Sequence, residues 1–589
     1  MEMLLSGNEA IARGAYEYGG EFASAYPGTP STEILQTIAR YFKDDVYAEW
    51  AINEKVALEN AVGASYGGAR SIAAMKHVGV NVAADPLMTL SYTGVGAGLV
   101  LISADDPSLH SSQNEQDNRC YGKFASIPVI EPSDSQEAKD FLKEAFEISE
   151  EFDTPVLYRI TTRISHSKGI VKIGERRTVE HTGFERNITK YVMVPAHASK
   201  RHKIVIERLE KLKAFAEETP LNRIEWKGKG VGIITGSIAY QYARESMPDA
   251  SILKLGMGYP LPIKKIEEFA SQVERLFVVE ELEPFYEEQI LAAGIPVEGK
   301  KYFSNYLELN VTRVKNGFIE AGVLEGEIRK TEREQILPRP PVLCPGCPHR
   351  GMMVALRKLK VYTTGDIGCY TLGALPPLEQ IDTCLCMGAS IGHAFGIEKA
   401  GKTKKKTVSL IGDSTFLHSG ITSLATTVYN KGTTTTIIVD NRITAMTGGQ
   451  DHPGTARTLM GEDTHAIDLV ALCKALGVEH VRTVDPYDLG ETTAVLEEEI
   501  AREATSVVIT TRPCMLFPKK IKGNPYMVKL DVCTACGACF RVGCPAISGS
   551  EEKNEKGRPK AEIDASICTG CTICAQVCPV EAIVELEKS

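Results

Sequence analysis

Leu410-Ile411-Gly412-Asp413-Ser414 and, about one strand–helix unit later, Ile437-Ile438-Val439-Asp440-Asn441-Arg442-Ile443 are the runs on which the fold turns. Thr407–Ile411 is a predicted strand running into Gly-Asp, and Thr435–Val439 a second running into Asn441. A helix-length stretch separates them, the pattern of an α/β unit. The basic run Lys402–Lys406 ahead of the first strand reads as a solvated loop. Gly-Asp alone is common, and its plain reading is an ordinary strand-end turn. The pair offers more. Mg2+ takes hard oxygen ligands in octahedral geometry and is usually completed by phosphate oxygens. The Asp413 carboxylate, the Asn441 amide oxygen and the Ile443 backbone carbonyl can supply three ligands, and a diphosphate can supply others. The turn at Gly412 lets the backbone approach phosphates.

At this spacing the pair resembles the thiamine diphosphate motif. Thiamine chemistry needs a buried glutamate bonded to the aminopyrimidine, and an N-terminal unit should carry it. From Met1 to about Ile170 short apolar runs alternate with helical ones, as in a parallel α/β sheet. Phe22–Tyr26, Ser71–Lys76 and Leu99–Ser103 are the expected strands. Pro27-Gly28 turns the chain. Thr29 is expected to cap a helix with Pro30 at its first position, where proline's missing N–H costs nothing. Glu54, which opens a small-residue helix running to Arg70, is the candidate acid. A lone acid at a helix start is ordinarily just favourable to the dipole, and Glu49 is the nearby competitor.

The length of 589 residues suggests roughly four domains. We read 1–190 as a pyrimidine-binding thiamine domain and 191–335 as a connector with an α/β domain like the C-terminal domain of transketolase. Residues 336–522 read as the diphosphate- and Mg-binding thiamine domain, and 523–589, where eight cysteines stand in two runs of Cys-x-x-Cys-x-x-Cys each followed by Cys-Pro, as a ferredoxin domain with two [4Fe-4S] clusters. The expected class is thus α/β: three doubly wound parallel-sheet domains, then a small α+β domain. Gly230–Gly236, Leu276–Val279 and a partly helical connector from about Ile170 to Asn222 belong to the second; Ile336–Pro341 and Pro518–Pro525 are linkers. The formal charge of −10 argues against nucleic acid and anionic membrane as partners. Leu87–Ala104 is weakly charged but carries Ser, Thr and Gly, so it reads as a buried helix–strand unit and no membrane span. The sixteen cysteines, many in Cys-x-x-Cys groups without an export signal, favour metal ligation in a reducing, cytoplasmic setting.

Near the end, Cys533-x-x-Cys536-x-x-Cys539-x4-Cys544-Pro545 precedes Cys568-x-x-Cys571-x-x-Cys574-x3-Cys578-Pro579. The second run matches the bacterial two-cluster ferredoxin pattern, in which the fourth cysteine of each run serves the other cluster. One cluster is then expected on Cys533, Cys536, Cys539 and Cys578, the other on Cys568, Cys571, Cys574 and Cys544. A pair of zinc knuckles is the competing reading. The extra residue before Cys544 departs from the usual x3 and leaves that run's cluster type open.

Cys344 and Cys347, in Cys-Pro-Gly-Cys, open the thiamine unit, and Cys369 and Cys514 follow. Spacing alone leaves cluster, zinc or plain core open for these four. Here the whole chain resembles the 2-oxoacid:ferredoxin oxidoreductase family. Tyr26–Ser31, Asn53-Glu54, Cys344–Cys347, Gly365–Cys369, Gly412-Asp413, Asn441 and Thr444–Gly449 stand in the family's order and spacing. Met75-Lys76-His77-Val78-Gly79 and the fused ferredoxin tail resemble the branch acting on aryl pyruvates such as indolepyruvate.

The resemblance implies that Cys344, Cys347, Cys369 and Cys514 hold a third [4Fe-4S] cluster near the thiamine. It makes Glu54 the activating acid and Thr29 a substrate contact, brings His77 to the catalytic region, and packs the cofactor at Met387-Gly388 and Gly412–Ser414. His77 and His349 have satisfied structural histidines as their default reading. The implied reaction is oxidative decarboxylation with coenzyme A, passing electrons to soluble ferredoxin. No segment is left for the family's small gamma domain, so a separate small subunit is expected, two large and two small per assembly. A non-redox thiamine decarboxylase or carboligase, and an electron-relay subunit with a vestigial thiamine unit, are the alternatives. Cys384 and Cys386 read as plain core residues; Cys120 and Cys473 have no assigned role.

Overall fold

The computed structural model describes residues 1–180, 183–329, 337, 340–517 and 523–586. Most of the two expected linkers, Ile336–Pro341 and Pro518–Pro525, lies outside the described residues. The chain divides into two compact units, Met1–Gln335 and Ile336–Ser589.

Among the described residues, the first unit forms a seven-stranded sheet. Its spatial order is Met257–Tyr259, Val129–Ile130, Val156–Thr161, Leu99–Asp105, Ser71–Lys76, Phe22–Ala25, Tyr47–Trp50. All neighbours pair in parallel except Met257–Tyr259, which runs antiparallel to Val129–Ile130. Every residue of the three strands Ser71–Lys76, Leu99–Asp105 and Val156–Thr161 is buried, as in a parallel sheet covered on both faces. A second sheet pairs Arg275–Val279, Gly228–Gly236 and Ala250–Leu255 in parallel, with Asn222–Glu225 antiparallel at its edge. The connector contains one long helix, Pro195–Glu218, with proline in its first turn. That helix is clamped to the first domain by two arginines. Arg201 Nε donates to the Tyr92 carbonyl and Arg208 Nη1 to the Asp153 carbonyl, each at 2.6 Å.

One local expectation fails. The helix after Pro27-Gly28 is Thr32–Tyr41, with Ser31 before it, so Thr29 does not cap it and Pro30 is not its first residue. Tertiary bonds decide otherwise: Ser31 Oγ donates back to the Gly28 carbonyl at 2.9 Å, and the Pro30 carbonyl accepts from Asn8 Nδ2 at 2.6 Å.

The second unit holds a parallel sheet in the order Tyr362–Thr364, Thr407–Gly412, Thr435–Asp440, Ser506–Thr511, His480–Val484. Two antiparallel pairs follow: Tyr526–Val528 with Ile583–Glu585, and Ile547–Lys553 with Pro559–Ile563. Among the described residues no helix is long and apolar enough to cross a membrane.

Candidate functional site

Three adjacent parallel strands of the second unit deliver polar residues to one edge, the carboxyl end where open α/β sheets bind ligands. Asp366 follows Tyr362–Thr364, Asp413 follows Thr407–Gly412, and Asn441 follows Thr435–Asp440. Asp413 is buried; its Oδ1 accepts from Ser414 N and its Oδ2 from Arg442 N, both at 2.9 Å. His452 Nδ1 accepts from Gly454 N at 3.1 Å, which places the ring proton on Nε2. That Nε2 stands 3.2 Å from Asp413 Oδ2, too oblique for a good hydrogen bond. Burial pushes the Asp413 carboxyl up, but the His452 and Ser414 contacts hold it below its ordinary value. Burial and the Asp413 charge raise neighbouring Asp440. Asn441 Oδ1 accepts from Ile443 N at 3.2 Å, and its Nδ2 lies 3.3 Å from His349 Nε2. Burial lowers His349 to about 4, so the ring is neutral near pH 7 and can accept. Among the described residues no lysine or arginine pairs with Asp413. A buried carboxylate beside an amide oxygen, with neither lysine nor arginine paired to it among the described residues, is a donor set that fits a hard divalent ion.

The neighbouring turn is equally constrained. Half-buried Met387 leads into Gly388, whose φ is +86° and where a Cβ would lie 2.4 Å from Ser419 Cβ. Asp366 accepts from Gly388 N at 2.7 Å and Ser390 N at 3.1 Å, tying this helix start to the strand edge. Burial pushes Asp366 up to about 6 against those N–H donors. Past Asp413–Thr415 the chain makes a π-helical turn, Phe416–Gly420, a feature frequent at functional sites. Thr444 Oγ1 donates to Ser414 Oγ at 2.9 Å.

Beside this edge, Cys344, Cys347, Cys369 and Cys514 line one cavity of about 70 Å3 with His349 and Asn441. Cys514 N donates to the Asn441 carbonyl at 3.0 Å. Burial pushes Cys347 up to about 12 and Cys369 to about 11, so either sulfur would be ionised near pH 7 only with a compensating positive charge beside it. Among the described residues no three Cys, His, Asp or Glu side chains converge on a single-ion site.

The C-terminal thiols fall into two sets. Cys533, Cys536, Cys539 and Cys578 line one cavity of about 20 Å3. Cys574 is raised first by burial, then by Cys571, Cys544 and Cys568, with Cys539 of the first set last. Gly537 and Gly570 take φ of +77° and +71°, coiling the two three-cysteine loops. The Cys344–Cys347 turn packs on the second loop: a Cβ on Gly346 would meet Thr569 Oγ1 at 2.0 Å, and Tyr487 OH donates to the Gly346 carbonyl. Buried Arg350 lies within electrostatic reach of both Cys347 and Cys571.

In the first unit, Thr29, Glu54 and His77 all lie beyond the carboxyl ends of adjacent strands. Glu54 is 6% exposed, and a Cβ on Gly79 would stand 2.6 Å from its Cγ. Asn53 caps its helix, accepting from Val56 N at 3.0 Å. The competitor Glu49 is engaged by Ser24 Oγ at 3.0 Å and Asn60 Nδ2 at 2.6 Å. His77 is fully buried; its Nε2 lies 3.2 Å from Asn114 Oδ1, while its Nδ1 has no hydrogen-bond partner among the described residues.

Three stretches of the chain match known families. Residues 13–214 match the family described as pyruvate flavodoxin/ferredoxin oxidoreductase, thiamine diphosphate-binding. Residues 366–510 match the C-terminal TPP-binding domain of thiamine pyrophosphate enzymes, and 532–582 match a 4Fe-4S dicluster domain. Indolepyruvate oxidoreductase subunit IorA of Archaeoglobus fulgidus is 42% identical over 99% of this chain and 97% of its own. The IorA of Pyrococcus abyssi is 42% identical over 100% and 97%. The chain belongs to the IorA family. The 2-oxoglutarate synthase subunit KorA of Methanothermobacter marburgensis is more distant, 23% identical over 50% of this chain and 92% of its own.

As an IorA-family chain it carries thiamine diphosphate-binding domains and a 4Fe-4S dicluster domain within an oxidoreductase of the 2-oxoacid:ferredoxin type. Asp366, His452, Arg350 and Tyr487 were missed from sequence. Asp366 lies inside the quoted run Gly365–Cys369, Arg350 follows Cys347 by three residues and His452 follows Gly449 by three, whereas Tyr487 stands near no quoted motif. Cys384 and Cys386, expected in the core, are exposed, because Asp382–Cys386 runs along the surface with Leu385. Cys473 is buried and Cys120 exposed.

Proposed function

We propose that the chain catalyses oxidative decarboxylation of an aryl 2-oxoacid of the indolepyruvate type, with coenzyme A. The products are an acyl-CoA, CO2 and two electrons that leave singly through iron–sulfur clusters to a soluble ferredoxin. One observation carries this reading: the four thiols Cys344, Cys347, Cys369 and Cys514 share a cavity wall with Asn441. A cluster there would accept electrons beside the diphosphate end of the cofactor, an arrangement that a non-redox decarboxylase does not need.

Asp413, Asn441 and the Ile443 carbonyl would hold Mg2+ and, through it, the diphosphate. Met387, Gly388, Gly412 and Ser414 would form the cradle, since a side chain at Gly388 has no room. Bound thiamine diphosphate supplies the electron sink for decarboxylation. Glu54, buried at its helix start, would hold the proton exchanged with the aminopyrimidine. Thr29 and His77 would face the substrate, His77 through the unpartnered Nδ1. The third cluster would stand on the cavity thiols. Two clusters would occupy the tail, on Cys533, Cys536, Cys539 and Cys578 and on Cys568, Cys571, Cys574 and Cys544, and shared cavity lining and mutual electrostatics support that pairing. The relatives' description as a subunit supports a partner chain, which we infer to be the small subunit of a two-plus-two cytoplasmic assembly.

Anaerobic single turnover with indolepyruvate tests the reaction. Bleaching of the visible iron–sulfur absorption that requires the 2-oxoacid and is enhanced by coenzyme A is the expected outcome. CO2 release without bleaching would point to a non-redox thiamine enzyme. Glu54→Gln should abolish turnover and leave the oxidised cluster spectrum intact; surviving turnover would remove Glu54 from its role.

A further inference from the structure

Lys76 ends the strand Ser71–Lys76 and is 9% exposed. Its Nζ donates to the Ser111 carbonyl at 2.6 Å and lies 3.3 Å from Ser111 Oγ. An ammonium has three donors, so at least one is left over. Among the described residues no carboxylate forms an ion pair with it. The carboxylate whose field reaches Lys76 is Asp106, and its oxygens are engaged elsewhere. Asp106 Oδ2 accepts from Ser111 N at 2.8 Å and from Ser112 Oγ, and Oδ1 accepts from Thr162 Oγ1 at 2.7 Å. A buried ammonium without an ion partner is costly unless something completes it. Burial lowers Lys76 to about 8, opposed by Asp106, so the group is still mainly a cation near pH 7.

The surroundings indicate what completes it. A Cβ on Gly28 would stand 3.1 Å from Lys76 Cβ, so the glycine turn lies against this side chain. Ser111 Oγ, the hydroxyl that Lys76 touches, also lies 3.2 Å from the Thr29 carbonyl, to which it can donate. Ser111 comes from the loop after Leu99–Asp105, bent by Ser108 and Leu109 at φ of 71° and 52°. Lys76, Ser111 and Thr29 therefore converge at the strand edge that also carries His77.

We propose that Lys76 binds the carboxylate of the 2-oxoacid, with Ser111 and Thr29 completing the subsite. This rests on the reaction proposed above. A single ammonium matches one negative charge, and repulsion from nearby Asp106 grows with the charge of the ligand, so the site suits a monoanionic carboxylate better than a dianionic phosphate.

The test uses the anaerobically purified holoenzyme and two unreactive probes: the 2-hydroxy acid corresponding to the substrate, and its primary amide. In the parent enzyme the acid should bind, by titration calorimetry, roughly 10- to 100-fold more tightly than the amide, the size of one charge-assisted hydrogen bond. In Lys76→Met that preference should fall to about one, and KM for the 2-oxoacid should rise by a similar factor. Lys76→Arg should keep much of the preference. Lys76→Gln, which still bonds to Ser111, carries the same expectation where the methionine variant fails to fold. An acid preference that persists in folded, cluster-loaded Lys76→Met or Lys76→Gln overturns the assignment. Absence of aryl-pyruvate turnover in the parent enzyme would count against the reaction, and the acid-to-amide ratio would still judge Lys76.

Discussion

Replacing Arg350 by methionine should open a seam in the second unit. Arg350 is 1% exposed, and its Nη1 and Nη2 donors end on carbonyls of two segments far apart in sequence, while Nε has no partner among the described residues. Nη2 reaches Leu343 at 2.7 Å and Cys344 at 3.1 Å; Nη1 reaches Val542 at 2.8 Å and also Gly543. Each charge-assisted bond contributes about 1.5–3 kcal/mol taken alone. The four do not add, and the variant recovers the cost of burying a guanidinium. Methionine fills much of the space but satisfies none of the carbonyls. A net loss of about 3 kcal/mol for opening this seam follows, or roughly a hundredfold in the opening equilibrium. Amide exchange is the suitable assay, because a multidomain iron protein does not unfold in one step. Amides of Leu343–Cys347 and Phe540–Ile547 should exchange roughly a hundredfold faster, while the five-stranded sheet keeps its protection. The substitution also removes a buried cation near Cys347 and Cys571. Since reduction adds negative charge, midpoint potentials of clusters held there should move negative. Exchange within about threefold of the parent in both segments, under 1 kcal/mol, would refute the reasoning.

Three further outcomes follow from the same structure. Gly388→Ala forces a left-handed alanine whose Cβ meets Ser419 Cβ at 2.4 Å and its carbonyl carbon at 3.0 Å; about 2–4 kcal/mol of strain should appear as loss of thiamine diphosphate on desalting, and full retention would contradict the cradle. Burial pushes Glu281 up to about 7 from an ordinary 4.5, against one N–H from Leu309 at 2.9 Å. Its folded proton affinity exceeds the unfolded one, so its contribution is fully present below pH 4.5 and lost as pH rises through 7. Glu281→Gln should therefore stabilise the first unit by up to about 3 kcal/mol at pH 8 and progressively less toward pH 5.5; a pH-independent difference in thermal unfolding would rule this out. Finally, the apolar core under the C-terminal cysteines is small, built on Val528, Ala561, Ala582 and Ile583 with Cys539. Removing iron with a chelator should abolish exchange protection across residues 526–586 and spare the parallel sheet; a protected apo tail would show that packing alone suffices.

What sequence could and could not reveal has physical causes. Thr407–Gly412 and Thr435–Asp440 were legible because a buried parallel strand is a continuous apolar run closed by a turn. Their last residues were less so: Asp440 continues the ladder opposite Thr511, a polar residue retained in the strand because its backbone is paired. Thr29-Pro30 carries the local signal of a helix start, and tertiary bonds from Asn8 and Ser31 override it. Met257–Tyr259 is three residues long and joins a sheet begun far earlier in the chain, so no local pattern announces it. The same holds for Arg350. Nothing around an arginine in a helix signals that its partners lie 192 and 193 residues away.

The one departure in the cysteine spacing and the Arg350 contact are a single feature. Between Cys574 and Cys578 three residues suffice, and helix Ile573–Gln576 carries the chain most of the way across. Between Cys539 and Cys544 there are four. Phe540–Val542 make a tight 3-10 turn, and Gly543 reverses it at φ of +66°. That turn directs the Val542 and Gly543 carbonyls to Arg350 Nη1, and a Cβ on Gly543 would crowd Pro377 at 3.1 Å. A three-residue spacing leaves no room for both the turn and its left-handed exit. The extra residue is thus explained by docking: it presents two carbonyls to an arginine that also holds the carbonyls of Leu343 and Cys344. What reads in the sequence as an imperfect ferredoxin motif is, in the fold, the place where the tail is fastened to the Cys344–Cys347 turn.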